Sequence, residues 1–450
     1  MSLRSCATTS VRPCIIHLDM NSYFASVEQQ ANPLLRGRAL GVCAYLHRHG
    51  CIIAASIEAK ERGMKVGMTM EEAQTLIPDA VFVENDPAKY RAVTSRVFAI
   101  MHEVSDRVEH YSIDESFLDL TGWVRDPAEA AFLMTRVRRR IRDEVGEWLR
   151  CSIGIAPTRF LAKLASDMEK PSGLVVITPE NIDEVLSRLE LRDVHGIGRK
   201  LSKRIEALGY RTPLEVKRAP VANLMHAFGI NGYVLWAKLN GMSIETLQSD
   251  PGPPKSIGHS YCVPMAANRE KKIPAILSKL AEKAARRLRA EKLCARAVSV
   301  RIGFRVPAMP GSSVRPHSPF ALPDVGDFDA VRFEEPVDDS FALVHAALRL
   351  LYAMWDGTQP VSFLAVTYSE FGEKSGQIAM TSTSQDVDGQ WRDDGRRTEA
   401  VAQLSRAADV VRDKYGDRAL ILGSLFGISQ DDAPDRIGFR KIDGVEKILT

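Results

Sequence analysis

Hydrophobic and polar positions along this chain form short strand-like runs alternating with amphipathic helical stretches as far as about Phe371. The first run, Ile15 to Leu18, is apolar, has the length of a strand, and stops on a carboxylate, Asp19. Further on, RVEHYSIDESFLDLTG predicts a hairpin whose second half reads as a buried strand, with Ile113, Phe117 and Leu118 around the adjacent acids Asp114 and Glu115. EAAFLMTRVRRRIRDEV predicts a helix with Phe132, Leu133, Val137 and Ile141 on one face and Arg136, Arg138, Arg139 and Arg140 largely outward. Omitting residues 23–86, the order up to Gly173 is strand, helix, strand, strand, helix, strand.

The second half has its own pattern after SDPGPPKS, a linker from Ser249 to Ser256. SIGHSYCVP predicts a strand, and PAILSKLAEKAARRLRAEKL a helix with Leu277, Leu280, Ala284 and Leu288 on one face. ARAVSVRIGFRV alternates as a strand, DSFALVHAALRLLYAMW is a second amphipathic helix, and VSFLAVTYSEF closes a sheet. The acidic stretch Asp324 to Asp339 is expected on a solvent loop. After Phe371 the chain turns polar, with one helix expected from about Arg397 to Tyr415. Between the halves, VHGIGRKLSKRIEALG reads as a helix-hairpin-helix and AFGINGYVLWAKLNG as its degenerate repeat, each with glycines at the hairpin.

Composition narrows the class. A chain of 450 residues, 45% hydrophobic, has room for roughly three domains. No run reaches the length of a membrane span and the first residues lack an apolar signal core, so a cytoplasmic protein is expected. Seven cysteines without C-x-x-C spacing point to neither a zinc site nor a disulfide framework. The net charge of +3 conceals a local bias: Ser256 to Val306 holds twelve basic and three acidic residues. A solvated helix face is the ordinary reading of a charge run, but a one-signed excess also suits a surface that tracks phosphates.

The acids carry the candidate chemistry. Asp114 and Glu115 in an apolar strand need a cation, since lone charges near low-dielectric walls are costly. With Asp19 they place three hard oxygen donors on two strand ends, a set suited to a pair of Mg²⁺ ions about 4 Å apart in phosphoryl transfer. A solvated turn is the competing reading of the acidic pair.

Four blocks, LDMNSYFASVE, YSIDESFLDL, CSIGIAPTRFLAKLASDMEKPSG and VHGIGRK, resemble in order and spacing the signatures of Y-family translesion DNA polymerases. The resemblance runs from about Ile15 to about Phe371 and is strongest in the first half. It implies an α+β multidomain right hand: a ferredoxin-like palm (1–22 and 87–173), small fingers (23–86), a helix-hairpin-helix thumb (174–248), a linker (249–255) and an α/β little finger (256–371). Residues 372–450 form an extension of unknown role. The implied activity is template-directed, low-fidelity addition of deoxynucleotides to a primer in translesion synthesis and DNA repair.

Carried over residue by residue, the resemblance assigns Asp19, Asp114, Glu115 and the Met20 carbonyl to two Mg²⁺ ions. Phe24 falls on the aromatic steric gate against a 2′-hydroxyl, with Tyr23 turned into the palm, since alternate strand residues face opposite ways. Lys60 and Lys163 match triphosphate contacts, though solvated lysines are the alternative, and polymerase IV-like members usually carry Thr, Tyr and Arg where this chain has Ala54, Ile57 and Lys60. The EAK form resembles the UmuC-like branch. Asn21 stands where a second acid is common. Ala44, Cys51 and Gly67 fall where the family packs small residues over the templating base; core filling explains the first two as well. Gly196, Gly198, Arg199 and Lys200 match backbone contacts to DNA.

The implied partners are primer-template DNA and deoxynucleoside triphosphates, with a monomer expected and no membrane. Gln377 to Met380 loosely resembles a sliding-clamp peptide lacking its terminal aromatic. A non-catalytic accessory subunit, a DNA-binding repair scaffold and a palm-fold nucleotide cyclase are the alternatives. The retained acids argue against the first, and the hairpins and basic segment against the cyclase.

Overall fold

The computed structural model describes residues 13–46, 48, 50–249, 252–304, 326–372, 395–416, 419–421 and 423. Two compact units divide the chain, one up to residue 251 and one from residue 252.

In the first unit β1 (Ile15–Met20) leads into α1 (Tyr23–Ala31). A small sheet follows, β2 (Leu40–Cys43), β3 (Ile52–Ala55) and β4 (Val81–Glu84), with α2 (Ile57–Glu61) and α3 (Met70–Leu76) between its last two strands. Hydroxyl caps start both helices: Ser56 accepts from the Ala59 amide, and Thr69 with Glu72 forms a reciprocal capping box. α4 (Pro87–His102), opened by an Asp86 cap and Pro87, returns the chain to β5 (Val108–His110), β6 (Glu115–Asp119), α5 (Pro127–Arg140), β7 (Cys151–Ala156), α6 (Arg159–Met168) and β8 (Leu174–Val176).

The main sheet runs β5-β6-β1-β7-β8, all antiparallel except β7 with β8. β1, β5, β6 and β7 with α4 and α5 make the ferredoxin-like core. β8 extends this sheet past Gly173, so the boundary expected at 173 falls inside it. α1, expected in the fingers, packs in the same core as β1 and α4. Central β1 is buried along its whole length, as a strand covered on both faces must be. Ile16, Leu18 and Met20 pack toward α4 and α5, while Ile15 faces α6, so His17 and Asp19 share the α6 side.

Three expectations in this unit are corrected. Tyr23 and Phe24 open α1 rather than continue the strand, so their sides follow helical phase, not alternation. Asp114 lies in the turn before β6, and only Glu115 is a strand residue. Phe132 is 68% exposed; the buried stripe of α5 is Ala130, Met134 and Val137, continued by Ile141, a register equally compatible with helical spacing.

The helical end of the unit comprises α7 (Ile182–Ser187), α8 (Arg199–Ala207), α9 (Pro213–Arg218), α10 (Val221–Phe228) and α11 (Ile230–Leu239). Gly196 (φ 91°) turns the chain into α8, and Gly229 (φ 62°) joins α10 to α11. Both occupy the left-handed region that glycine enters without steric penalty.

The second unit contains β9 (Ser256–Cys262), α12 (Met265–Arg269), α13 (Ile273–Ala290), β10 (Cys294–Phe304), β11 (Gly326–Val337), α14 (Ser340–Met354), β12 (Val361–Gly372) and α15 (Gly395–Tyr415). Its antiparallel sheet runs β11-β10-β12-β9. Most of the acidic stretch expected on a loop is β11: alternate pairing to β10 satisfies its backbone and the carboxylates of the strand remain exposed at the sheet edge, whereas Asp338 and Asp339 beyond it are buried and Asp324 lies outside the described residues. α15 is no separate extension. It packs beside α13 and α14 through Arg412–Glu282 at 2.5 Å, with both side chains buried, and Arg289–Asp409 at 2.6 Å. Arg286 likewise pairs with Asp413, so part of the basic excess is neutralised on the helical side.

Candidate active site

Pairing of β1 with β6 sets Asp19 directly opposite Glu115, on the face toward α6. Like charges in that position repel, and the neighbourhood answers with lysines. Lys163 of α6 lies 2.9 Å from Glu115 Oε1; Lys170, seven residues on, contacts Asp19 and stands 2.7 Å from Asp167. Asp114 accepts from the Ser112 hydroxyl at 2.6 Å, and its carbonyl accepts from the Met20 amide at 2.9 Å, tying the hairpin to the end of β1.

Burial pushes the Asp19 carboxyl up to about 6, with Lys170 pulling it down and Glu115 and Asp114 adding to the rise. Asp114 is also raised, chiefly by burial, against the hydrogen bond from Ser112. Burial pulls Lys170 down, but Asp19 and Asp167 outweigh it and hold the ammonium above its ordinary value. Burial raises Asp19 and Asp114 in spite of the adjacent lysines, a cost that a further cation would offset, and three hard oxygens are the donor set of Mg²⁺. Among the described residues no group of three or more His, Cys, Asp or Glu side chains is gathered as a ready cage; the strand acids are drawn to their separate lysines.

Asn21 shares no contact with these acids. Its amide bonds Ser152 Oγ at 3.0 Å and accepts from the Ser172 amide at 2.8 Å, a local role consistent with its being no ligand. Ser22 follows in the left-handed region (φ 48°, ψ 44°) as the cap of α1 and makes no side-chain cap bond, a conformation that costs about 1–3 kcal/mol and clusters at functional sites. It leaves the first amides of α1 without a side-chain cap.

Tyr23 is anchored to α4, its hydroxyl donating to the Tyr90 carbonyl at 2.9 Å and lying 2.7 Å from Thr94 Oγ1. Phe24 stacks on Tyr90, centroids 4.4 Å apart at 16°. The Tyr90 hydroxyl is fixed on Glu28 at 2.8 Å, which Lys89 meets at the same distance. Lys60 of α2 is pulled below its ordinary value by burial and then by Lys170, against Asp19 and Asp114, which locates it in the field of the same carboxylates. Ala54 is buried in β3. Of the three small residues the structure pairs two, the Ala44 amide donating to the Cys51 carbonyl at 3.0 Å, while the Gly67 amide donates to the carbonyl of the next residue, Ile52, at 2.8 Å.

Lys170, His17 and Arg159 were not singled out from sequence. Arg159 grips Glu109 at 2.6 Å and stands over the Phe117 ring at 4.3 Å, bracing the hairpin. Lys170 stands in the turn after α6, which ends at Met168; its place beside Asp19 comes from the fold and not from helical spacing.

Away from this site, Gly196, Gly198, Arg199 and Lys200 are all exposed, with Gly198 capping α8. In the second unit Val298, Val300 and Ile302 are buried, so Ser299 and Arg301 point to the opposite face of the sheet. Arg301 stands over Phe328 at 5.7 Å. The clamp-like segment Gln377 to Met380 and Arg305 lie outside the described residues. Among those described, no helix is long and apolar enough to cross a membrane.

A ferredoxin-like palm with acids on neighbouring strands, a tandem helix-hairpin-helix and a separate α/β unit are the parts of a DNA polymerase fold. Models of the impB/mucB/samB family match residues 18–167, those of its C-terminal domain 254–380, and the helix-hairpin-helix motif of the same family 179–210. DNA polymerase IV of Moorella thermoacetica is 32% identical over 414 residues, spanning 90% of this chain and 94% of that protein. DNA polymerase IV 1 of Bacillus subtilis is 28% identical over 423 residues, 91% and 92% of the two chains. The solved structure of a Y-family DNA polymerase chimera matches with a TM-score of 0.66 over 79% of this chain and 98% of that one; at 23% identity it carries the fold alone. The chain belongs to the impB/mucB/samB family as a Y-family homologue of DNA polymerase IV, a translesion DNA-directed DNA polymerase. Polymerases of this class act on template DNA and deoxynucleotides and generally use divalent metals.

Proposed function

We propose that Asp19, Asp114, Glu115 and the Met20 carbonyl would hold two Mg²⁺ ions in a site that brings a primer 3′-hydroxyl to a deoxynucleoside triphosphate. The carrying observation is the direct opposition of Asp19 and Glu115 across β1 and β6, with the Asp19 carboxyl raised to about 6 despite Lys170. When bound, the ions supply charge neutralisation and acidify the attacking hydroxyl. The protein contributes position and field. The opening amides of α1 face the triphosphate as a helix N-terminus does, and Lys60, Lys163 and Lys170 share its charge. Released from Asp19 and Glu115, the last two become available to phosphate.

Phe24, backed by Tyr90, presents a fixed ring to the sugar and excludes a 2′-hydroxyl, while Tyr23 anchors α1 to α4. Ala44, Cys51 and Gly67 leave space above the templating base, which suits a damaged one. The turn at Gly196 and Gly198, with Arg199 and Lys200, offers amides and cations to the duplex backbone. The Ser299 and Arg301 face of the second unit adds sequence-independent contacts. Primer extension by a variant carrying both Asp114→Ala and Glu115→Ala tests the reading. Loss of extension with primer-template affinity kept is expected; extension above a trace overturns the metal assignment.

A further inference from the structure

His17 lies two residues before Asp19 on the same face of β1 and is completely buried. Its ring rests on Phe117, centroids 4.4 Å apart, and Nδ1 is 2.7 Å from Ser166 Oγ of α6. Gly154 makes that contact possible. It stands beside His17 on β7, and a Cβ there would fall 1.9 Å from the Ala162 carbonyl oxygen, so only glycine lets α6 settle this close to the sheet. The other ring nitrogen, Nε2, has no hydrogen-bond partner among the described residues and lies 3.9 Å from Glu115 Oε2. A buried polar atom left unpaired is destabilising, and the Ser166 bond accounts for Nδ1 alone. The histidine therefore needs a purpose that the resting arrangement does not reveal.

We propose that His17 is a positioning residue for Glu115, donating Nε2–H to Oε2 when the carboxylate turns to the metal site and leaving Oε1 to the ions. The proposal rests on the reading of Glu115 as a metal ligand. The gap closes to hydrogen-bond length with a shift of about 1 Å. Proton accounting agrees. Ser166 has one hydroxyl hydrogen for two acceptors, His17 Nδ1 and the Lys163 carbonyl at 2.8 Å. Given to Nδ1, it leaves the ring hydrogen of the neutral imidazole on Nε2, facing the carboxylate; given to Lys163, it would aim a lone pair at a negative group. Such outer partners orient ligands, and their loss typically costs 10–100-fold in metal affinity.

The test uses the full chain with primer-template and a non-hydrolysable deoxynucleotide, reading Mn²⁺ binding by electron paramagnetic resonance. His17→Phe fills the apolar space without a donor and is expected to weaken Mn²⁺ binding about tenfold with no fall in melting temperature. The KM for nucleotide at saturating Mg²⁺ stays unchanged. His17→Gln, which restores a donor, recovers most of the affinity. Parent-like Mn²⁺ binding by His17→Phe overturns the proposal, as does an equal loss in the Phe and Gln variants. Glu115→Gln separates the two levels: if it too binds Mn²⁺ like the parent, the ligand assignment of Glu115 fails rather than the role of His17 alone.

Discussion

Replacing Lys170 by alanine removes the counter-charge from a carboxylate that sits opposite another. The side chain of Asp19 is 8% exposed and that of Lys170 39%, so the pair lies between two measured limits. Removing one partner of a fully buried pair costs about 3–5 kcal/mol, whereas exposed pairs are worth about 0.2–1 kcal/mol. With solvent screening on the lysine side, about 2 kcal/mol is the expected loss for Lys170→Ala. For a unit of this size that amounts to a drop of about 4–8 °C in melting temperature. The account adds a condition: the loss belongs to the metal-free protein. Divalent ions between Asp19 and Glu115 take over the neutralisation, so the gap between variant and parent should shrink by more than half in millimolar Mg²⁺. Thermal melts of both proteins, in chelator and in Mg²⁺, measure it. An equal gap in the two conditions would mean that divalent ions do not bind at Asp19.

Phe24→Ala should admit ribonucleotides about tenfold better, some 1.4 kcal/mol of lost discrimination, in single-nucleotide insertion assays, with deoxynucleotide use falling only moderately. Tyr23→Ala, which releases the anchor to Tyr90 and Thr94, should lower stability without this relaxation; the opposite outcome would exchange their roles. At Gly198 a Cβ meets nothing within 4 Å and φ is −81°, so Gly198→Ala should fold unstrained yet set a methyl group between the turn's amides and an approaching phosphate, lengthening one charge-assisted hydrogen bond and weakening primer-template binding about tenfold; unchanged affinity by fluorescence anisotropy would remove this turn from the DNA interface. Burial, and then His102, hold His110 down at about 4, below its unfolded value near 6.5, so the unfolded chain binds more protons in between. Stability should be full above about pH 6.5 and fall toward pH 4, and His110→Phe, which keeps a ring on Phe98, should flatten melting temperature against pH; equal slopes would refute it.

Much of this architecture was legible because periodicity and burial coincide. Ile15 to Leu18 reads as a strand, and it is the central one; the α13 face carrying Leu277, Leu280, Ala284 and Leu288 is buried as spaced. Elsewhere a local pattern admits two solutions and tertiary contacts choose. Phe132 and Met134 both fit an apolar stripe on α5, and the sheet accepts the slimmer one. Tyr23 and Phe24 follow Asn21 and Ser22, residue types that end strands and cap helices, a signal that the strand alternation overrode. Acidic β11 reads as solvent loop because one edge of a sheet can expose its carboxylates while its backbone pairs. At the site the acids were legible from their company of apolar neighbours, but the partnership of Lys170 with Asp19 spans 151 positions, and no local rule reaches that far.

Anomalous diffraction from Mn²⁺ in crystals of the full chain with primer-template and a non-hydrolysable deoxynucleotide addresses the central claim most directly. The account predicts two Mn²⁺ peaks about 3.5–4 Å apart, ligated by Asp19, Asp114, Glu115 and the Met20 carbonyl, with Lys163 and Lys170 withdrawn from the carboxylates. Peaks elsewhere, or lysines still paired with Asp19 and Glu115 over bound nucleotide, would contradict it.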